Sequence, residues 1–153
     1  MARLEGMIAL VTAGTSGIGL ATAKLFVGAG AYVFITGVRE QDLMAAVREI
    51  GSNVCGVVAD VSKQAELHRL IERIKRERGR LDVVFAGSGI GNDAWCRNRM
   101  GELSAAVVSI QVRELLSTVQ TALPMMPPGA SLILNAFIVV RELVANSLLM
   151  ETL

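Results

Sequence analysis

The sequence predicts an α/β fold, in which a parallel β-sheet is covered by helices on both faces. Short apolar runs alternate with helical patterns along most of the 153 residues. Hydrophobic residues make up 52% of the chain and charged residues only 19%. A parallel sheet that is buried on both faces produces continuous apolar strands of this kind. We expect about five strands in a single domain over residues 1–153, because a chain of this length supports one hydrophobic core.

The alternating pattern assigns the elements in order. The predicted strands are residues 7–11, 31–36, 53–59, 81–86 and 131–135. The predicted helices are residues 20–26, 41–50, 63–78 and 102–123. In the second helix, apolar residues recur at helical spacing and are predicted to face the core: Leu43, Met44, Val47 and Ile50. Ser62 is the predicted N-cap of the third helix and Gly79 ends it.

The composition excludes several classes of protein. No apolar run approaches the roughly 20 residues that a membrane-spanning helix needs, and the formal net charge of +1 gives no electrostatic basis for binding nucleic acid. The first residues lack an apolar signal segment, which favours a cytoplasmic location. We predict no metal site. His68, the chain's only histidine, is expected on a solvated helix face, and Cys55 in the core.

Residues 7–26 carry the strongest functional signal. A short apolar strand leads into the glycine-rich turn Thr12–Gly19 and then into an amphipathic helix. Backbone N–H groups at such a helix start have no partner and carry the positive end of the helix dipole, while glycines let phosphates approach. The segment is therefore predicted to bind a dinucleotide pyrophosphate.

The whole pattern resembles the short-chain dehydrogenase/reductase family, which implies a Rossmann-like, doubly wound parallel sheet. Thr12–Gly19 is similar to the family's Thr-Gly-x-x-x-Gly-x-Gly turn, with Ala13 in place of the first glycine. Asp60-Val61 matches the family's adenine-contacting pair, and residues 79–83 match the entry to its fourth strand. The resemblance covers most of residues 5–91 and returns over residues 119–135.

The resemblance implies a nicotinamide cofactor and the residues that hold it. They are Gly14, Thr15, Ser16, Gly17, Ile18, Gly19, Arg39, Asp60, Val61 and Gly87. An enzyme selective for NAD usually has an acidic residue at the end of the second strand, but this chain has Gly37-Val38-Arg39. Arg39 can form a charge-assisted contact with a 2'-phosphate, so NADP is expected, with NAD as the alternative.

The family's catalytic residues are not found at the corresponding positions. The asparagine position is occupied by Gln111, the serine position by Phe137, and the tyrosine and lysine positions by Leu149 and Leu153. Leucine cannot donate a proton, and one positioned proton donor contributes about 10²–10⁴-fold in rate. The resemblance therefore implies an oxidoreductase-like protein without standard carbonyl-reductase activity, and no catalytic residue is assigned.

Other functions stay open at this point. An active oxidoreductase with a different proton donor would use polar residues near the strand ends, namely Ser88, Asp93, Gln111 and Asn135. A hydrolase with Ser88 as nucleophile is disfavoured, because residues 86–90 do not match a nucleophile elbow. The sequence ends where the family continues, so a C-terminally truncated sheet with an open fifth strand is expected. Such an edge, with its apolar residues, favours a homo-oligomer or a partner-binding module without catalysis.

Overall fold

The computed structural model describes residues 3–87 and 103–135, with side chains described over residues 3–87 and 111–135. The strands are β1 (Ile8–Val11), β2 (Tyr32–Gly37), β3 (Val54–Val58), β4 (Val83–Gly87) and β5 (Ser131–Asn135). The helices are α1 (Gly17–Gly28), α2 (Glu40–Ile50), α3 (Gln64–Arg78) and α4 (Leu103–Ala122), followed by a 3₁₀ turn at Leu123–Met125. Every predicted element within these residues is present.

The five strands form one parallel sheet in the order β3-β2-β1-β4-β5. The chain moves outward from β1 to β3, then crosses back to β4 and β5, which is the doubly wound arrangement. The predicted fold class is thereby confirmed. The reversal falls between β1 and β4, and both strands present their carboxyl ends at the same edge of the sheet.

Each face of the sheet has its own core. On one face, Leu10, Phe34 and Val84 pack with buried residues of α3 and the end of α4. On the other face, β1, β2 and β4 pack against α1 and α2, where Ala23 and Ala46 allow close approach. All four β1 residues are buried, which explains why the strand reads as one continuous apolar run.

Two predicted details of the helices are wrong. Lys63, rather than Ser62, is the N-cap residue of α3, because the Ser62 hydroxyl donates to the Asp60 carboxylate. Met44 is exposed, since α2 turns Leu43 and Ala46 toward the sheet. Cys55, predicted in the core, is partly buried on edge strand β3: it packs against the core of one sheet face, and the Arg73 guanidinium donates to its sulfur at 3.5 Å.

His68 is exposed, as expected, and its ring lies 3.0 Å from the Gln64 amide nitrogen. Among the helices that the structure describes, none combines the length and the apolar composition needed to cross a bilayer. The predicted positions Ser88, Asp93, Phe137, Leu149 and Leu153 lie outside the described residues.

Candidate functional site

The candidate site lies at the carboxyl edge of the sheet, where the glycine-rich turn joins β1 to α1. Two backbone hydrogen bonds hold the turn against the neighbouring strands: Thr12 N donates to Phe85 O at 3.0 Å, and Gly14 N donates to Thr36 O at 2.9 Å. The turn is therefore fixed to β4 on one side and to β2 on the other.

Two glycines of the turn occupy positions where a side chain cannot fit. A Cβ on Gly19 would lie 2.1 Å from the carbonyl oxygen of Ala13, so α1 packs directly on the turn. A Cβ on Gly14 would lie 2.8 Å from the Cβ of Ile35. These contacts explain why the motif needs glycine in both places.

The third glycine of the motif has a different role. Gly17 has φ +54°, a left-handed conformation, and a Cβ built on it would meet no protein atom within 4 Å. The space in front of Gly17 is open, and Ser16, Gly17 and Ile18 are all exposed. The protein leaves room there for a ligand to approach the backbone.

The start of α1 offers hydrogen-bond donors to that space. The first bond within the helix runs from Leu20 N to Ser16 O at 3.2 Å, so the N–H groups of Gly17, Ile18 and Gly19 have no acceptor inside the helix. The Ser16 side chain makes no capping bond, and the first turn of α1 contains no acidic residue. The helix start therefore suits an anionic group, and a dinucleotide phosphate fits it.

A threonine clamp joins the ends of β1 and β4 beneath this space. The hydroxyl of Thr12 donates to the carbonyl oxygen of Gly87 at 3.0 Å and accepts from the N–H of Gly87 at 2.9 Å. Thr12 is buried, so both bonds are shielded from water. The position of Thr12 directly after an apolar strand could have indicated this role, but the sequence analysis assigned no function to Thr12.

Asp60 and Val61 follow β3 at the same edge of the sheet. The Ser62 hydroxyl donates to Asp60 Oδ1 at 2.6 Å and lowers the pKa of the Asp60 carboxyl, helped by the Ser62 N–H at 3.1 Å and by Lys63. The Asp60 N–H donates to the Glu66 carboxylate at 2.7 Å. Asp60 is thus held as an oriented carboxylate at the end of β3.

Glu114 on α4 was missed by sequence reasoning. Burial raises the pKa of its carboxyl, and the negative charge of Asp60 raises it further. The Asp60 carboxylate at the end of β3 thus acts electrostatically on a carboxyl group of α4. Sequence periodicity could not reveal this pair, because the two residues are brought together only by the fold.

Arg39 lies at the N-cap of α2, beyond the end of β2. Its side chain is 84% exposed, and its Nε lies 2.7 Å from the Asp42 carboxylate. The rest of the guanidinium faces solvent on the same edge of the sheet as the glycine-rich turn. The structure thus brings the predicted turn residues, Arg39, Asp60, Val61 and Gly87 to one edge.

Gln111 is buried in α4, and its Nε2 has no hydrogen-bond partner among the residues that the structure describes. Tyr32, the chain's only tyrosine, begins β2 and so lies at the opposite end of the strands from the site. Its ring packs edge-on to Phe34 and lies 3.7 Å from the Arg78 guanidinium carbon. Within residues 3–87 and 103–135, no group of three His, Cys, Asp or Glu residues is placed to hold a metal ion.

The doubly wound sheet and the glycine-rich helix start together define a dinucleotide-binding class of protein. A sequence model described as short chain dehydrogenase matches residues 7–136, and the chain belongs to this family. The chain is 41% identical over 135 residues to the oxidoreductase asL5 of Sarocladium schorii, covering 87% of this chain and 54% of that protein.

Two further relatives extend the comparison. The short-chain dehydrogenase reductase ATA1 of Arabidopsis thaliana is 34% identical over 83% of this chain and 46% of its own length. The 3-oxoacyl-[acyl-carrier-protein] reductase FabG of Thermotoga maritima is 30% identical over 81% of this chain and 52% of its own length. The chain thus spans about half the length of these relatives. Family members use nicotinamide cofactors, NAD or NADP.

Proposed function

We propose that this protein binds NADP(H) at the glycine-rich turn and lacks the standard carbonyl-reductase chemistry of its family. The observation that carries the proposal is the open, donor-rich space in front of Gly17. Three N–H groups at the start of α1 have no helical acceptor, and no acidic residue in the first turn opposes an anion. The pyrophosphate is assigned to these groups.

Residues that follow β3 and β2 at the carboxyl edge of the sheet support the rest of the cofactor assignment. Asp60, held as a carboxylate by Ser62, would accept a hydrogen bond from the adenine, and Val61 would lie beside the same group. Arg39 is assigned to the 2'-phosphate, because its exposed guanidinium lies beyond β2 and the strand end carries no acidic side chain. Gly87, which the Thr12 clamp holds at the end of β4, is assigned to the same cofactor site.

A bound nicotinamide would supply the hydride for reduction of a carbonyl group. The chain's own residues give little support to the proton transfer that must accompany it. Tyr32 is at the wrong end of β2, and Gln111 replaces the asparagine expected in α4. Phe137, Leu149 and Leu153 replace the remaining catalytic residues in the sequence and cannot transfer protons.

Calorimetric titration with NADPH and NADH tests the binding proposal. We expect the parent chain to bind NADPH, and Gly17→Ala to weaken binding by about tenfold or more, because its methyl group would enter the space assigned to the pyrophosphate. Gly79→Ala is the matched control, since Gly79 also has a positive φ of +78° with no atom within 4 Å of its Cβ. Equal losses of affinity in both variants would indicate backbone strain rather than a lost phosphate site.

A steady-state assay of NADPH oxidation with a panel of ketones and aldehydes tests the absence of catalysis. We expect turnover at background. NADPH-dependent turnover that is lost on Ser88→Ala or Gln111→Ala would instead support an active oxidoreductase with a non-standard proton donor.

A second candidate function, self-association without catalysis, is favoured by the exposed apolar residues of β5 and α4. Leu132, Ile133 and Leu134 of β5 are 37%, 41% and 54% exposed. Along α4 and into the 3₁₀ turn that follows it, partly or largely exposed apolar residues recur at a spacing suited to helix packing: Val112, Leu116 and Val119 on α4, and Leu123 at the start of the turn. These two surfaces are proposed to contact a second copy of the chain.

The cytoplasmic location stays a prediction.

A further inference from the structure

Thr15 lies directly against Gly37, the last residue of β2. A Cβ built on Gly37 would lie 2.4 Å from the Thr15 Cγ2 methyl and 3.7 Å from its Cβ. Real Cβ atoms do not approach other atoms as closely as the first of these distances. The Thr15 methyl therefore occupies the space that any side chain at position 37 would need.

The backbone of neither residue can easily move away from this contact. The backbone of the turn is bonded to β2 through Gly14 N and Thr36 O, and Gly14 itself packs on Ile35. On its other side, Gly37 O accepts from Ala59 N at 3.1 Å, which fixes the end of β2 to the chain leaving β3. Relief of a clash at position 37 must therefore come from the Thr15 side chain.

Position 37 has no backbone requirement for glycine. Its φ is not in the left-handed region, unlike that of Gly17, Gly51 or Gly79. The three atoms nearest to a Cβ built on Gly37 all belong to Thr15, so Thr15 sets the tightest limit on a side chain at position 37. A change at Thr15 should then decide which residues the end of β2 can carry.

We propose that Thr15 is a specificity-determining residue, because it excludes a side chain at position 37 and so keeps the 2' side of the cofactor site free of an acidic residue. This inference rests on the proposed binding of NADP(H). A carboxylate at position 37 could bind the ribose hydroxyls of NAD and would repel a 2'-phosphate. Thr15 and Gly37 thus act as one unit, and converting the cofactor preference requires both to change.

A double-mutant cycle of melting temperatures tests the steric conflict between Thr15 and a side chain at position 37, without any cofactor. We expect Gly37→Ala to lower the melting temperature by about 5 °C, as overpacking does, and Thr15→Ala/Gly37→Ala to lie within about 2 °C of Thr15→Ala. Gly28→Ala is the matched control, because a Cβ there meets no atom within 4 Å. It should not lower the melting temperature.

Calorimetry with NADPH and NADH tests the specificity part. Gly37→Asp alone should weaken binding of both cofactors by about tenfold or more, since the displaced Thr15 distorts the turn. Thr15→Ala/Gly37→Asp should recover NADH binding and should favour NADH over NADPH by about 100-fold relative to the parent.

The outcomes separate the two proposals. If the parent binds NADPH but the effects at positions 15 and 37 are additive in both stability and affinity, the inference is overturned and the proposed function stands. If neither cofactor binds the parent while the stability cycle still shows coupling, the proposed function fails, and the specificity role falls with it. Coupling between positions 15 and 37 in both stability and cofactor affinity supports the inference and the proposed function alike.

Discussion

Arg39 is the residue on which the proposed preference for NADP depends. Its guanidinium is exposed and one of its nitrogens is engaged by Asp42. An exposed ion pair of this kind contributes only about 0–1 kcal/mol, so it should not prevent Arg39 from binding a phosphate.

Arg39→Asp is therefore expected to lower the affinity for NADPH by about tenfold or more while leaving that for NADH equal or higher, because a carboxylate repels the 2'-phosphate. The ratio of the two dissociation constants from calorimetry measures this. Asp42→Asn is the control and should keep or improve NADPH binding. An unchanged ratio in Arg39→Asp would mean that the 2'-phosphate is recognised elsewhere.

Ala13, in the glycine-rich turn, has a strained backbone conformation. It has φ +53°, and only one other described residue that is not glycine, Asn53, has a positive φ. The left-handed conformation costs alanine roughly 1–2 kcal/mol, whereas asparagine tolerates it better.

Ala13→Gly is therefore expected to raise the melting temperature by about 2 °C, after allowance for the greater freedom of glycine in the unfolded chain. Asn53→Gly, the matched variant, should give a smaller change or none. Thermal unfolding followed by circular dichroism measures both. A fall in stability on Ala13→Gly would show that the packing of the Ala13 methyl near Gly87 outweighs the strain.

At the scale of the element, α4 carries a carboxyl group with a raised pKa. Glu114 is half-buried, and burial together with the charge of Asp60 favours its protonated form. Because the folded-state pKa lies above the unfolded value, this group adds stability at low pH, and that contribution is lost as the pH rises through the folded-state pKa.

Glu114→Gln should consequently be more stable than the parent at pH 7, and the difference should vanish as the pH falls below the ordinary glutamate value of 4.5. Urea unfolding at a series of pH values measures this. Asp60→Asn provides a control of opposite sign: the pKa of Asp60 is lowered, so the variant should lose stability at neutral pH and approach the parent in acid. A Glu114→Gln difference that does not vary with pH would contradict the assignment.

The elements also show where sequence reasoning succeeds and where it stops. Strand β5 was predicted at its observed bounds, because Pro128 and Gly129 interrupt the chain just before it. The buried side of α2 was only partly predicted, since periodicity alone cannot tell that Ala46 rather than Met44 faces the sheet. The Ser62 cap was wrong because a carboxylate two residues earlier, Asp60, competes for the same hydroxyl.

The same reasoning applies to the candidate site. The glycine-rich turn could be predicted because its residues are contiguous in sequence. The Thr15 contact with Gly37 and the Asp60 influence on Glu114 could not, because they join residues that are far apart in sequence. Such pairs depend on the register of β1 against β2 and on the placement of α4, which only the folded chain defines.

At the scale of the whole molecule, the described part of the sheet has two edges, β3 and β5. Strand β5 contains no charged residue or proline that would discourage pairing, and three of its five residues are exposed and apolar. Exposed Leu116 on α4 and exposed Leu123 in the 3₁₀ turn after it add to this apolar surface. A chain with these surfaces is expected to associate with itself when they are not otherwise covered.

We therefore expect the purified chain to show a mass above that of the monomer by multi-angle light scattering, rising with protein concentration. Ile133→Lys places a charge on the β5 edge, and Leu116→Lys places one among the exposed apolar residues of α4. Each variant should shift the measured mass toward that of the monomer at equal concentration. Leu25→Lys is the matched control, because Leu25 is the most exposed leucine described, at 73%, and lies on α1, away from both surfaces. A monodisperse monomer at every concentration would remove the support for self-association. An equal shift in mass with Leu25→Lys would show that added charge disperses the chain, rather than the loss of an apolar contact.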